Sequence, residues 1–395
     1  MNEPARWKSL LLAAWLVAGA GLGPARAADK PPPAADEKKI ASAGLEIQDL
    51  FQKERIPKIV VAADGSVLAF AKACQLLRRS VDGGRTWSEV QEVAPSGRGN
   101  AIVDDVTGDV LVVCPRDACL WRSKDHGKTW RRETIVLKSN LMGHGAPDSG
   151  VPADVAASES GITLSGGKHK GRLLMPARVQ PPKGNNDQEY WPFNCNTALY
   201  SDDRGKTWQT AYPVQSGTGE GTLAELSDGR IYYNSRCHMA VDHRRRIAWS
   251  HDGGHMWTDW ETSQDLFEVG QPFYFKYGTK PSYGCNAGLV RVPPAATGGR
   301  DVLLFSTPDQ PGGHRFKMTV WASFDGAKTW PVKRLVWEGP SAYSSLAAGA
   351  DGSAYLLFER GRKKLYETIA VARFDLDWLT QGKDWRKMLP PSSSE

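Results

Sequence analysis

From Lys58 onward the apolar positions of the chain gather in short runs of β-branched and aromatic residues, not in stripes at helical spacing. The runs "KIVVAADGSVLAFA", "DVLVVC", "GRLLMPARV", "GRIYYNSR", "DVLLFST" and "SAYLLFER" are bounded by Asp-Gly, Gly-Gly or Thr-Gly pairs. Runs of that length between turn residues predict β-strands. No stretch carries the i, i+3, i+4, i+7 apolar pattern of an amphipathic helix. The pattern predicts an all-β protein.

One turn recurs. "SVDGGRTW" begins at Ser80, and the same S-x-D-x-G-x-T-W frame returns as "SKDHGKTW" from Ser123, "SDDRGKTW" from Ser201, "SHDGGHMW" from Ser250 and "SFDGAKTW" from Ser323. These starts imply a unit of roughly 45 to 50 residues, with insertions after the second and fourth copies. That period belongs to a β-propeller, whose blades are four-stranded antiparallel sheets. In each copy the aspartate is expected to accept hydrogen bonds from backbone N–H groups of its own turn, while glycine takes the positive φ. Trp87, Trp130, Trp208, Trp257 and Trp330 are expected to fold back as pegs in the apolar layer between neighbouring sheets. A calcium role is disfavoured, because each copy offers one or two carboxylates and the ion takes about six to eight oxygens.

The N-terminal segment has another character. Arg6 and Lys8 precede the apolar run "SLLLAAWLVAGAGLG", and "ARA" ends at Ala27, which is the pattern of a secretory signal. Residues 1–27 are therefore expected to be a signal peptide, 28–40 a proline-rich, charged flexible leader, and 41–390 the propeller of a secreted or periplasmic protein. Removing Glu3, Arg6, Lys8 and Arg26 lowers the formal charge of +6 by two, leaving a mildly basic chain that suits an acidic ligand. All six cysteines lie beyond Ala27, so disulfides are permitted in an oxidising compartment. Cys114 and Cys119 in "CPRDAC" are the expected pair, and the pairing of Cys74, Cys195, Cys237 and Cys285 stays open. Their spacing matches no zinc pattern, and no metal or other cofactor is expected. Beyond the N-terminus no apolar run reaches the roughly 18 residues of a membrane span. There is also no Gly-rich phosphate loop and no basic-aromatic signature, so no nucleic-acid partner is expected.

A propeller is only a scaffold, and its chemistry comes from side chains gathered at the mouth of the central channel. Arg55 in "ERIPKIVV", Arg236 in "IYYNSRC" and Arg315 in "GGHRFKMTVWASFDG" stand at the beginnings or ends of expected inner strands. Each alone would be an ordinary surface arginine. Together with "GKHKGRLLMPAR", "GEGTLAELSDGRIYYNSR", "GCNAGLVRV", "LLFSTPDQ", "SAYSSLA", "LLFERG" and "YETIAVARFDLDWL", in that order from Phe51 to Leu379, they make the chain resemble the sialidases.

The resemblance implies a six-bladed propeller with Asp-box turns that hydrolyses terminal sialic acids with retention of configuration. Sialylated glycans or related anionic sugars would be its partners. It implies that Arg55, Arg236 and Arg315 clamp the sugar carboxylate through planar, charge-assisted hydrogen bonds. It implies Tyr343 as nucleophile, Glu220 as its base, with Glu225 as the alternative, and Glu359 as the acid that holds Arg55. A neutral phenol can approach an anomeric centre that already bears a carboxylate, and its ordinary pKa of about 10 explains the need for a base. The general-acid aspartate that the family usually carries between the "RIP" strand and the first repeat has no counterpart here: the segment reads "AFAKACQLLRRS", and Asp64 belongs to the Asp64-Gly65 turn. "NLMGHGAPDSGVPAD", with His144, Asp148 and Asp154, is a candidate substitute, and Asp148 is the residue chosen. Two other readings stay open, a hydrolase of another 2-keto-3-deoxy sugar acid and a glycan-binding propeller without chemistry.

Overall fold

The apolar runs are strands: Lys58–Val61 and Val67–Ala71, Val110–Cys114, Leu173–Gln180, Ile231–Cys237, Leu303–Pro308 and Ala354–Arg360. The computed structural model describes residues 40–95, 97–140, 154–180, 194–239, 242–271, 282–311 and 313–390, all within the unit Glu37–Glu395. The signal peptide expected at 1–27, nearly all of the leader, and His144 and Asp148 lie outside the described residues.

Four-stranded antiparallel meanders dominate. The first runs through Lys58–Val61, Val67–Ala71, Leu76–Ser80 and Gln91–Glu92, and the second from Asn100–Val103 to Arg131–Thr134. In the third, Asp154–Ala157 and Ile162–Thr163 both pair with Leu173–Gln180, followed by Cys195–Ser201 and Thr207–Thr210, with Val136–Lys138 added in parallel. The fourth runs from Thr218–Glu225 to Thr258–Phe267. The remaining eight-stranded sheet is continuous through one long strand, Val332–Ala348, which pairs with Phe316–Ser323 along its first half and with Ala354–Arg360 along its second.

The first strands of successive sheets touch in a closed series. Lys58–Val61 meets Asn100–Val103, which meets Ile162–Thr163, then Thr218–Glu225, Gly288–Arg291, Val332–Ala348 and Lys58–Val61 again. The sheets are thus arranged like the blades of a β-propeller around a shared centre. Leu45–Gln52 pairs with Thr368–Phe374, so the two ends of the described chain share one sheet and cover an edge that would otherwise offer unpaired N–H and C=O groups.

The five repeats occupy equivalent turns. Each third strand, Leu76–Ser80, Cys119–Ser123, Cys195–Ser201, Arg244–Ser250 and Phe316–Ser323, ends on the serine of the repeat. That hydroxyl donates to the aspartate two residues on, at 2.8–2.9 Å in every copy. It also accepts the N–H four residues on, at 2.7–3.0 Å. The aspartate then accepts the N–H of Thr86, Thr129, Thr207, Met256 or Thr329 at 2.8–3.0 Å. The frame's glycine has φ between +81° and +87° at Gly84, Gly127, Gly205 and Gly254, and Ala327 takes +66° in the fifth copy. An L-residue there costs on the order of 1 kcal/mol, so the turn geometry overrides local preference in that copy. Each tryptophan enters a different apolar cluster built from two sheets. Trp130 meets Phe70 of the preceding sheet edge to face, with ring centroids 6.1 Å apart. Trp208, Trp257 and Trp330 are buried, whereas Trp87 and Trp130 are half-buried.

The expected Cys114–Cys119 disulfide is not formed, and all six cysteines are buried thiols. Cys114 and Cys119 are directly opposed on neighbouring strands. Burial, then the adjacent Cys119, pushes the Cys114 thiol up, so the thiolate that thiol exchange requires is disfavoured.

Candidate active site

Two irregularities in strand pairing build the site. Thr218 pairs with Cys237 and Gly221 with Ser235, so Gly219 and Glu220 together oppose Arg236. Likewise Ser341 pairs with Arg360 and Ser344 with Phe358, so Ala342 and Tyr343 oppose Glu359. A bulge of two residues against one re-aims the bulged side chain, and here it brings Glu220 and Tyr343 together. The Tyr343 hydroxyl donates to Glu220 Oε1 at 2.7 Å across 123 residues of sequence. Arg236 Nη1 donates to Glu220 Oε2 at 2.5 Å and to the Tyr343 hydroxyl at 3.3 Å.

Glu359 lies on the other side of Tyr343. Its fully buried carboxylate accepts from Arg55 Nε at 3.1 Å and Nη2 at 3.4 Å, from Ile56 N–H at 2.9 Å and from Tyr343 N–H at 3.1 Å. One carboxylate therefore fixes the arginine and the tyrosine backbone at once. The Arg55 side chain remains 42% exposed, so its guanidinium keeps a face open to an incoming group. Arg55 and Arg315 both lie over the Tyr343 ring, at 5.3 and 5.5 Å from its centre. Arg315 donates to the Gly284 carbonyl at 3.0 Å and to the Tyr366 hydroxyl at 3.2 Å.

Electrostatics follow from this packing. Burial alone would push the Glu220 carboxyl up, but Arg236, then Arg178 and the Tyr343 hydroxyl, outweigh it and hold the group well below the usual carboxylate range. Burial, then the Glu220 charge, raises the Tyr343 phenol, with Arg236 and Arg315 opposing. His238 is buried, and burial together with Arg236 keeps its imidazole well below its ordinary value, hence neutral.

All six residues singled out from the sequence, Arg55, Glu220, Arg236, Arg315, Tyr343 and Glu359, thus meet around one tyrosine ring. The alternative Glu225 does not. Its carboxylate accepts from Ser165 N–H at 2.6 Å, Ser165 Oγ at 2.7 Å and Gly166 N–H at 3.2 Å. Asp64 is a turn residue, accepting from Ser66 N–H and Arg79, both at 2.9 Å. In "AFAKACQ" three successive residues, Lys72, Ala73 and Cys74, have φ of +55°, +53° and +64°. This left-handed turn hydrogen-bonds to the Arg55 carbonyl from Lys72 N–H at 2.6 Å and to the Ile56 carbonyl from Ala73 N–H at 3.4 Å. A tight turn therefore stands where the sialidase pattern calls for an acid-bearing loop. The backbone of Asp154 begins the strand Asp154–Ala157, and its side chain is outside the described residues.

Two site neighbours carried no expectation. Arg178 Nη1 faces Glu220 Oε1 at 3.5 Å, and the Tyr366 ring lies 3.9 Å from the Arg55 guanidinium carbon. Both sit within runs singled out above, "GRLLMPAR" and "YETIAVARF". Strand alternation divides the side chains of such a run between two faces, but only the assembled sheets show which face meets the centre.

Comparison with known proteins supplies the family and the fold. The BNR repeat-like domain family matches residues 112–356. A sialidase of Micromonospora viridifaciens is 32% identical over 420 residues, covering 94% of this chain and 60% of the relative, so the chain spans less than two thirds of that protein. In fold, a Hadza microbial sialidase superposes with a TM-score of 0.62 at 23% identity, covering 82% of this chain and 66% of the other. A leech intramolecular trans-sialidase superposes with a TM-score of 0.62 at 15% identity, covering 88% and 71%. With the family match extending over more than half of its length, the chain belongs to the BNR repeat family and is sialidase-like.

Proposed function

We propose that this protein is a retaining exo-α-sialidase, exported through its N-terminal segment, that removes sialic acid or a related 2-keto-3-deoxy sugar acid from glycans. On this reading the eight-stranded sheet is two blades sharing Val332–Ala348, which makes six in all, and the five repeats are Asp-box turns. The observation that carries the chemistry is the 2.7 Å hydrogen bond from Tyr343 to Glu220 beneath two arginines that lie over the same ring. Arg55, Arg236 and Arg315 bind the substrate carboxylate. Glu220 Oε1 accepts the phenolic proton as Tyr343 Oη bonds the anomeric carbon. The glycosidic oxygen leaves with the bonding pair and takes its proton from Asp148 or from solvent. Water then cleaves the tyrosyl bond from the face that the leaving group vacated, so the configuration is kept.

A carboxylate held as low as Glu220 is a weak base for a phenol that is raised, and substrate binding addresses that mismatch. Arg236 is engaged by Glu220 at 2.5 Å. A substrate carboxylate sharing that guanidinium adds negative charge beside Glu220 and raises its affinity for a proton as the sugar arrives. The Lys72–Cys74 turn favours a second reading, in which the protein binds anionic glycans and cleaves only substrates with good leaving groups. The test is a panel of aryl and alkyl ulosonic acid glycosides with hexosides as controls, read by proton NMR. Release of the retained anomer from the ulosonic acid glycosides is expected. Binding without release would favour the second reading, and an inverted first product would remove Tyr343 as nucleophile.

A further inference from the structure

Beneath the site lies an ion pair that the proposed chemistry does not use. The side chains of Lys58 and Glu159 are 1% and 3% exposed, with Nζ and Oε2 at 2.8 Å. The Glu159 carboxylate is filled from four sides. Its Oε2 accepts from Lys58 and, at 2.9 Å, from Asn286 Nδ2. Its Oε1 accepts from Ser345 Oγ at 2.6 Å and from Ser160 N–H at 3.0 Å. Lys58 also donates to the Ser158 carbonyl at 2.9 Å, and Ser345 Oγ accepts Ile59 N–H at 3.1 Å. The Ser158 hydroxyl brackets Gly221, donating to its carbonyl at 3.0 Å and accepting its N–H at 3.3 Å. The Asn286 carbonyl accepts Ser344 N–H at 3.3 Å.

These contacts fall just below the site residues in sequence. Lys58 and Ile59 follow Arg55, Gly221 follows Glu220, and Ser344 and Ser345 follow Tyr343. Asn286 follows Gly284, whose carbonyl holds Arg315. Glu159 itself interrupts the first strand of its sheet, between Asp154–Ala157 and Ile162–Thr163. We propose that the buried Lys58–Glu159 pair is a positioning element, a central tie that holds the strands carrying Arg55, Glu220 and Tyr343 in fixed register to one another. A buried ion pair is often no more stabilising than an apolar pair of the same volume. Its directional hydrogen bonds do what apolar contact cannot: they fix sideways placement where strands from different sheets converge. The 2.7 Å contact between Tyr343 and Glu220 depends on that placement.

The experiment replaces the pair with apolar residues of similar volume, Lys58→Met with Glu159→Met, and measures thermal stability, kcat, KM on an aryl sialoside, and the NMR resonance of 13Cζ-labelled Tyr343. The activity readouts rest on the function proposed above, whereas the resonance does not. The double variant is expected to fold but to melt below the wild type, because Asn286, Ser345 and Ser160 lose their acceptor, to lose kcat by about 10²-fold with little change in KM, and to shift or broaden the Tyr343 resonance. Unchanged kcat and an unchanged resonance would overturn the proposal and leave the pair a stabilising element only. If the wild type cleaves no sialoside, the function fails, and the resonance alone decides the tie. If the double variant does not fold, Ser345→Ala, which removes one donor to Glu159, takes its place: a kcat loss of about tenfold with a shifted resonance supports the tie, and wild-type behaviour overturns it.

Discussion

Asp82 in the first repeat turn and Glu220 at the centre are both carboxylates held below their ordinary range, and they arrive there by opposite routes. Asp82 is solvated, and the Thr86 hydroxyl and N–H, then Ser80 and Arg85 N–H, all within its own turn, stabilise its charge. Glu220 is buried, so desolvation works against its charge, and it depends on Arg236, Arg178 and Tyr343 from other strands. The turn carboxylate carries its partners with it and can be copied five times along the chain. The central one exists only once the sheets have come together, which is why it is sensitive to every partner and suited to chemistry.

The comparison breaks first at the tyrosine. Tyr343→Phe keeps the ring against Arg55 and Arg315 but removes the oxygen proposed as the nucleophile, and kcat/KM on an aryl sialoside is expected to fall by more than about 10⁴-fold with the fold intact by circular dichroism. Appreciable residual turnover would move the nucleophile elsewhere. Arg315→Ala comes next. It removes a buried member of the proposed clamp and is expected to weaken binding of a sialic acid by about 2 to 5 kcal/mol in calorimetry. Unchanged affinity would dissolve the clamp.

Arg178→Gln sharpens the electrostatic half of the comparison. The proposed base must be deprotonated, and Arg178 helps to keep Glu220 so, therefore its loss lets the carboxyl rise. The acid limb of the kcat/KM profile should move to higher pH while the alkaline limb stays. An acid limb that does not move would mean that Arg236 alone sets Glu220. The same lowered carboxyl contributes stability that is present above its unfolded value of about 4.3 and is lost as pH falls through its lower folded value. The smallest effect belongs to the repeat turn. Asp82→Ala should cost about 1 kcal/mol in urea unfolding and leave kcat unchanged, because its hydrogen bonds are local and half in water. A large loss of activity there would show that the turns and the centre are coupled.

Legibility in the sequence followed the range of the contacts. The third strand of each meander ends on the repeat serine because the eight-residue frame holds all the hydrogen bonds it needs, so counting residues was enough to find the turns. Even the degraded fifth copy kept the geometry, with Ala327 forced to a positive φ. The site residues were legible only through a resemblance in order and spacing, and that resemblance left Glu220 and Glu225 open. Cysteine spacing suggested a bridge at Cys114 and Cys119 that burial as thiols does not support.

By itself, then, the chain's own pattern determined an all-β protein of short strands, with five equivalent turns and tryptophans facing the layers between sheets. Those features depend on periodicity and on hydrogen bonds that close within a few residues. Tertiary structure alone decided that two bulges aim Glu220 and Tyr343 at each other, that Glu225 turns instead to Ser165, that Arg178 and Tyr366 join the site, and that Lys58 meets Glu159 beneath it. The physical reason is strand geometry. A shift of one residue sends a side chain to the opposite face, and a buried charge is tolerable only if partners from strands far away in sequence are already in place to meet it.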